Sequence, residues 1–166
     1  LMNLGEAVAN AVASSRLEGA PDTSLDCVIR KDVFIMANPI EIERVVQNLL
    51  VNASRYGRGE NGRLEAFVNA GIQNGQAILS VCDHGKGLPE DEMERVIRPF
   101  ERGEKARTGS NGSGLGLAIV DRIAKRSGGV MKLSANKPSG LAVEIRFPLA
   151  DPPKKPRKEK NSGKAG

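Results

Sequence analysis

The order of apolar patterns along the chain predicts an α+β fold, with helices layered on a mixed, mostly antiparallel sheet. Three observations carry this. Two stretches, 39–56 and about 114–127, repeat apolar residues at helical spacing. Two β-rich stretches, 63–73 and 76–83, flank Asn74 and Gly75, a hairpin pair that accepts positive φ. A last strand pair, "VMKLSAN" and "LAVEIRFPL", is joined by the turn "KPSG".

The elements follow in order. "LGEAVANAVASSR" (4–16) sets Leu4, Val8, Ala11 and Val12 on one side of a helix. "LDCVIRKDVFIMA" (25–37) reads as two short strands split by a polar turn at 30–32. In the next helix Asn38 is the expected N-cap and Pro39 the first helical residue. Ile42, Val45, Val46, Leu49, Leu50 and Ala53 form its apolar stripe, and Gly57 ends it. "PEDEMERVI" (89–97) is a short helix with an acidic start. Residues 98–113 lose periodicity and read as a mobile loop. The final helix stops at Ser127, Gly128 and Gly129.

Composition fits one soluble domain, residues 1–149, with a disordered basic tail, 150–166. Hydrophobic residues make up 39% of the chain, and no apolar run reaches the length of a membrane span. The net charge of +5 is unevenly placed: six Lys/Arg against two acids fall from Ala150 onward, so the rest is near neutral. A nucleic-acid role is therefore not expected of the globular part, although the tail leaves a DNA-binding reading to be tested. Cys27 and Cys82 lack metal or redox spacing and sit in apolar runs, which predicts reduced core thiols and a cytosolic setting.

Three stretches carry chemistry. In "SNGSGLGLAI", Gly112, Gly114 and Gly116 run into a helix. The stretch matches neither a Walker loop nor a dinucleotide fingerprint. It is either a flexible entry to a helix or a phosphate cradle, since helix-start N–H groups lack intrahelical partners. On helix 39–56, Glu41, Arg44, Asn48, Asn52 and Arg55 form a polar face. That face is either solvated or, through two asparagine carbonyls one turn apart, suited to a hydrated Mg²⁺. Arg55 can reach a phosphate, and Tyr56 can lie against a flat base. In "CDHGKGLP", Asp83 ends a strand beside Gly85 and Gly87. It is either a turn cap or an acceptor for a donor such as the adenine amine. The single histidine, His84, lies in that turn and reads as a partly exposed loop residue.

Together "NLLVNASRYG", "DHGKG", "RPFERG" and "GSGLGL" resemble, in order and spacing, the N, first glycine, F and second glycine boxes of bacterial sensor histidine kinases. The resemblance covers roughly residues 25–148 and is strongest to the osmosensor EnvZ and its relatives. It implies a Bergerat-type (GHKL) two-layer α/β sandwich, about three helices over one sheet, with ATP between the helices and a mobile lid at about 98–113. By that resemblance Asn52 is the main Mg²⁺ ligand and Asn48 assists. Arg55 meets the phosphates and Tyr56 packs near the base. Asp83 accepts from the adenine amine, and Gly85 and Gly87 shape the base pocket. Phe100 anchors the lid, with Arg102 and Gly103 bordering the nucleotide. Gly112, Ser113, Gly114, Leu115, Gly116 and Leu117 hold phosphates at the helix start. The basic lid residues Lys105 and Arg107 are within reach of the terminal phosphate.

In Bergerat ATPases such as gyrase B and the Hsp90 chaperones, a Glu one turn before the Mg²⁺ asparagine activates water. Here that position is Asn48, which takes no proton at neutral pH. The resemblance thus implies poor hydrolysis and donation of the γ-phosphate to a histidine on a dimerisation domain absent from this chain, then to a response regulator. The expected setting is the cytosolic part of an inner-membrane sensor, and the piece alone is expected to be monomeric. An anti-sigma-type serine kinase and a nucleotide-sensing module of the same fold are the alternatives.

Overall fold

The computed structural model describes residues 1–98 and 116–154. The elements are β1 (Met2–Asn3), α1 (Leu4–Ser14), β2 (Thr23–Ile29), β3 (Phe34–Ile35), α2 (Pro39–Tyr56), β4 (Leu64–Gln73), β5 (Gln76–Asp83), α3 (Glu90–Met93), α4 (Gly116–Arg126), β6 (Val130–Ala135) and β7 (Leu141–Pro148). The expected lid segment from 99 on, with Phe100, Arg102, Gly103, Lys105, Arg107, Gly112, Ser113, Gly114 and Leu115, lies outside the described residues. So does the tail from 155 onward.

Five strands form one sheet in the order β2-β4-β5-β7-β6. Only β2 and β4 pair in parallel, because α2 supplies the crossover that parallel neighbours need. The β4–β5, β5–β7 and β7–β6 pairs are antiparallel. The β4–β5 turn is Asn74 and Gly75 with φ of 51° and 75°, the left-handed pair that suits a two-residue hairpin. This is the mixed, mostly antiparallel α+β arrangement that the sequence predicts.

One face of the sheet is covered. Leu64, Ala66, Val68 and Ala70 of β4, Ala77, Leu79 and Val81 of β5, and Val143, Ile145 and Phe147 of β7 are buried there. Helices α1, α2 and α4 lie over them. The stripe of α2, Ile42, Val45, Val46, Leu49, Leu50 and Ala53, is buried as its spacing requires. Each fully buried Leu or Ile contributes about 1.5–3 kcal/mol over an exposed one. The Asn38 side chain caps α2 by accepting from Ile40 N at 3.0 Å, and Pro39 stands in its first turn. Gly128, at φ 71°, and Gly129, whose N–H reaches Ala124 O at 2.8 Å, close α4.

Four details differ from the sequence reading. Met2–Asn3 pairs antiparallel with Phe34–Ile35 as a separate small sheet; two residues are too short for a period-two pattern to show. Helix α1 stops at Ser14, with Arg16 left-handed at φ 58°. The helix expected over 89–97 is a single turn, Glu90–Met93, without a side-chain cap. The cysteines are not core thiols: both are free, Cys27 is exposed and Cys82 is half-buried. Cys27 lies on the edge strand β2, and Cys82 points to the uncovered sheet face. Partial burial, then Glu18 and Asp26, push the Cys27 thiol up; partial burial, Asp83 and Glu144 do so for Cys82.

Gly140 holds the end of the sheet together. Its φ is 112°, and a Cβ there would overlap the Asp83 carbonyl. Gly62 also has positive φ, at 76°, but open space around it. We expect Gly140→Ala to cost about 3 kcal/mol or more and Gly62→Ala about 1–2 kcal/mol in urea denaturation. Equal costs would show that backbone conformation alone, and not close approach, requires glycine at 140.

Candidate functional site

Asp83 is the one buried charged side chain among the described residues, at 6% exposure. The strand period explains this: Ala77, Leu79, Val81 and Asp83 share the helix-covered face, and Asp83 is the last of them. Its Oδ1 accepts from Gly85 N at 2.9 Å and from Leu141 N at 3.2 Å. Burial pushes the carboxyl pKa up; the Gly85 and Leu141 amides and His84 pull against it.

The chain closes tightly around this carboxylate. A Cβ on Gly57, at the end of α2, would lie 2.6 Å from Asp83 Cγ. A Cβ on Gly85 would lie 2.7 Å from the Gly57 backbone. Gly87, with φ 70°, passes so near Gly140 that a Cβ would come within 2.6 Å of its carbonyl oxygen. Glycine at 85 and 87 therefore permits close chain crossings that bring Asp83 to the C-terminal end of α2. Tyr56, the last residue of α2, is 41% exposed at that end. His84 is exposed, as expected of a loop residue.

The second cluster lies along α2. Its expected polar face is split. Arg44 and Arg55 are exposed, whereas Glu41, Asn48 and Asn52 are only partly so, because α4 packs along their flank. The Glu41 and Arg126 side chains pair, and a Cβ on Gly116 would lie 3.9 Å from Asn48 Oδ1. These two contacts make α4 antiparallel to α2 and aim its N-terminal end at Asn48. Asn52 continues the same flank one turn on. Asn48 Nδ2 donates to Arg44 O at 2.9 Å. A carbonyl accepts only, so this bond assigns the amide orientation and leaves Oδ1 as the outward acceptor. Leu117 is 7% exposed and belongs to the core; what it offers at the helix start is its backbone N–H.

Among the described residues no group of three or more His, Cys, Asp or Glu is placed to hold a metal. The oxygen donors of α2 are amide carbonyls. They fit a hard cation that keeps most of its waters and takes one or two protein ligands, as Mg²⁺ does. A cleft of about 580 Å³ opens on the far side of Gly85, between Arg63, Glu65, Lys86 and Ser139. Its charges are exposed and of both signs, and Asp83 faces away from it.

A sequence profile of the histidine kinase-, DNA gyrase B- and HSP90-like ATPases matches residues 37–151. The chain belongs to this ATPase family. Relatives include the sensor protein CutS of Streptomyces coelicolor, 34% identical over 121 residues, which are 72% of this chain and 29% of CutS. The signal transduction histidine-protein kinase ArlS of Staphylococcus aureus is 30% identical over 129 residues, 76% of this chain and 28% of ArlS. The chain thus spans under a third of the length of these curated relatives. Among solved structures, the mycobacterial sensor histidine kinase MprB superposes with a TM-score of 0.73 at 26% identity, over 91% of this chain and 97% of that one. The histidine kinase domain of the Escherichia coli osmosensor EnvZ does so with 0.62 at 28% identity, over 96% and 94%. The family domain binds ATP, and this chain is homologous to the ATP-binding domains of sensor histidine kinases. Among the described residues no helix is long and apolar enough to cross a membrane.

Two contributors escaped the sequence reading: Gly57 and Gly140, whose closeness to Asp83 has no local signature. Only their being glycines beside a helix end and a turn could have hinted at it.

Burying Asp83 has a consequence for stability. Its folded pKa lies above the ordinary 3.8, so ionisation costs more in the folded chain than in the unfolded one. That stability is present below 3.8 and is lost as pH rises through the folded value. Asp83→Asn keeps an oxygen for both amides and removes the charge. Without nucleotide, its melting temperature should equal or exceed the wild type's at pH 7, with the advantage shrinking as pH falls toward 3.8. A variant markedly less stable at pH 7 would contradict this account.

Proposed function

We propose that this chain is the ATP·Mg²⁺-binding catalytic domain of a two-component sensor histidine kinase. It presents the γ-phosphoryl group to a histidine on a dimerisation domain outside this chain, and that phosphohistidine supplies a response regulator. The observation that carries the reading is Asn48. Its amide nitrogen is committed to Arg44 O, and its outward group is a carbonyl oxygen facing the start of α4. A neutral amide here orients and coordinates; it does not take a proton from water. The arrangement favours keeping the phosphoryl group for an imidazole acceptor over hydrolysing it.

In this reading Asp83 accepts from the adenine amine in a site closed by Gly57, Gly85 and Gly87. Asn52 and Asn48 are the residues that would hold Mg²⁺, which when bound screens the phosphate charge. Arg55, exposed at the end of α2, meets the phosphates. The backbone N–H groups at the start of α4 add the positive end of a helix to the same place. The chain's part in transfer is then positioning and charge stabilisation while the bond from the γ-phosphorus to its bridging oxygen breaks and the phosphorus–nitrogen bond forms. The working location is the cytoplasmic side of a sensor, where ATP is available.

The test supplies a fragment carrying the acceptor histidine and follows labelled phosphate. Transfer should yield an acid-labile phosphoprotein, and Asn52→Ala should slow it about a hundredfold. An acid-stable product would favour a serine kinase, and undiminished transfer by Asn52→Ala would remove Asn52 from the metal site. Deleting residues 151–166 should leave the ATP dissociation constant unchanged by calorimetry. Were the deletion to abolish a salt-sensitive DNA affinity, the tail would have a nucleic-acid role of its own.

A further inference from the structure

The structure assigns to Asn136 a positioning role: this side chain holds the base-reading carboxylate of Asp83 in place, and with it the preference of the site for a purine bearing a 6-amino group. The inference rests on the reading of Asp83 as the adenine acceptor. Asn136 follows β6, in the turn that leads to β7. Its Nδ2 donates to the main-chain carbonyl of Asp83 at 2.7 Å, across 53 residues of sequence, in a partly buried position. Its Oδ1 accepts from Lys137 N at 3.0 Å. That second bond assigns the amide orientation independently, since an N–H can only face the oxygen.

The same residue shapes the turn. Asn136 N donates to Gly140 O at 2.9 Å, which closes the loop 136–140. The next residue, Leu141, is the one whose N–H reaches Asp83 Oδ1 at 3.2 Å. Asn136 therefore acts on Asp83 twice. It pins the Asp83 main chain directly, and it closes the turn that delivers one of the two amides on the carboxylate. A further bond, Ser139 Oγ to His84 O, is longer at 3.4 Å. Among the described residues the Asn136 side chain bonds to Asp83 O and Lys137 N, so its effect is transmitted through Asp83.

A residue that only stabilised the fold would weaken every nucleotide alike. A residue that positions Asp83 should weaken only those whose 6-amino group the carboxylate reads. The probes are ATP and purine riboside triphosphate, which is ATP without the exocyclic amine. Their dissociation constants are compared by calorimetry in the full chain with Mg²⁺. The wild type should prefer ATP by about tenfold, the scale of one net hydrogen bond. Asn136→Asp keeps the shape but sets a carboxylate oxygen, which cannot donate and repels, against the Asp83 carbonyl. It should bring the preference toward one by weakening ATP, with the affinity for the amine-free analogue within about twofold of wild type. Asn136→Ala is read in the same way should the first variant not fold. Failure of both to fold would make the residue structural and overturn the assignment.

Asp83→Asn separates the two layers of inference. If it abolishes the preference while both Asn136 variants retain it, the adenine reading stands and the role of Asn136 falls. If Asp83→Asn itself leaves the preference intact, the reading of Asp83 falls, and the role of Asn136 with it.

Discussion

A single buried carboxylate constrains this domain more than any other group. Asp83 occupies a core position at the end of β5, where period two would ordinarily place an aliphatic residue. Burying it without partners would be prohibitive. Two backbone amides converge on its Oδ1, and both come from turns that must approach closely. That requirement accounts for the glycines around it: Gly57 at the end of α2, Gly85 and Gly87 after β5, and Gly140 before β7. A methyl group at any of them would enter space already filled by backbone or by Asp83 itself. The ends of one helix and two strands are thus tied to one side chain.

That burial has an energetic cost. Desolvation raises the Asp83 pKa even against two amides and a nearby histidine, so holding this carboxylate ionised costs the fold free energy. A ligand that donates to this carboxylate recovers part of the penalty, which makes burial a means of discrimination as well as a destabilising feature. The second half of the site is built differently. It depends on helix packing, with α4 antiparallel to α2 so that its start faces Asn48 and its end meets Glu41. The Glu41–Arg126 pair lies at the surface, where such pairs contribute little energy. Its value is as a marker of helix orientation.

Much of this was legible in the sequence. The stripe of α2, its Asn38 cap, the Asn74–Gly75 hairpin and the Gly128–Gly129 stop are local rules acting within a few residues, and each is found as read. The motifs around Asn52 and Asp83 were recognisable by order and spacing. Elements too short for a period failed, as with the Met2–Asn3 strand. Burial of single side chains on edge strands or uncovered faces failed too, as with Cys27 and Cys82. An apolar run signals a strand but does not say which face the sheet covers.

What the sequence by itself determined is the main helices and strands, their order, and the motifs that mark the family. Periodicity, capping and turn residues act locally and need no fold to operate. What only the tertiary structure decided is which groups meet. The division of the α2 polar face depends on where α4 lies. The closure of the chain on Asp83 depends on Gly57 and Gly140, 26 and 57 residues away. The grip of Asn136 on Asp83 likewise joins the ends of β6 and β5, distant in the chain and on either side of β7 in the sheet. Such contacts arise from strand order and helix packing, which are properties of the whole chain, and no local pattern encodes them.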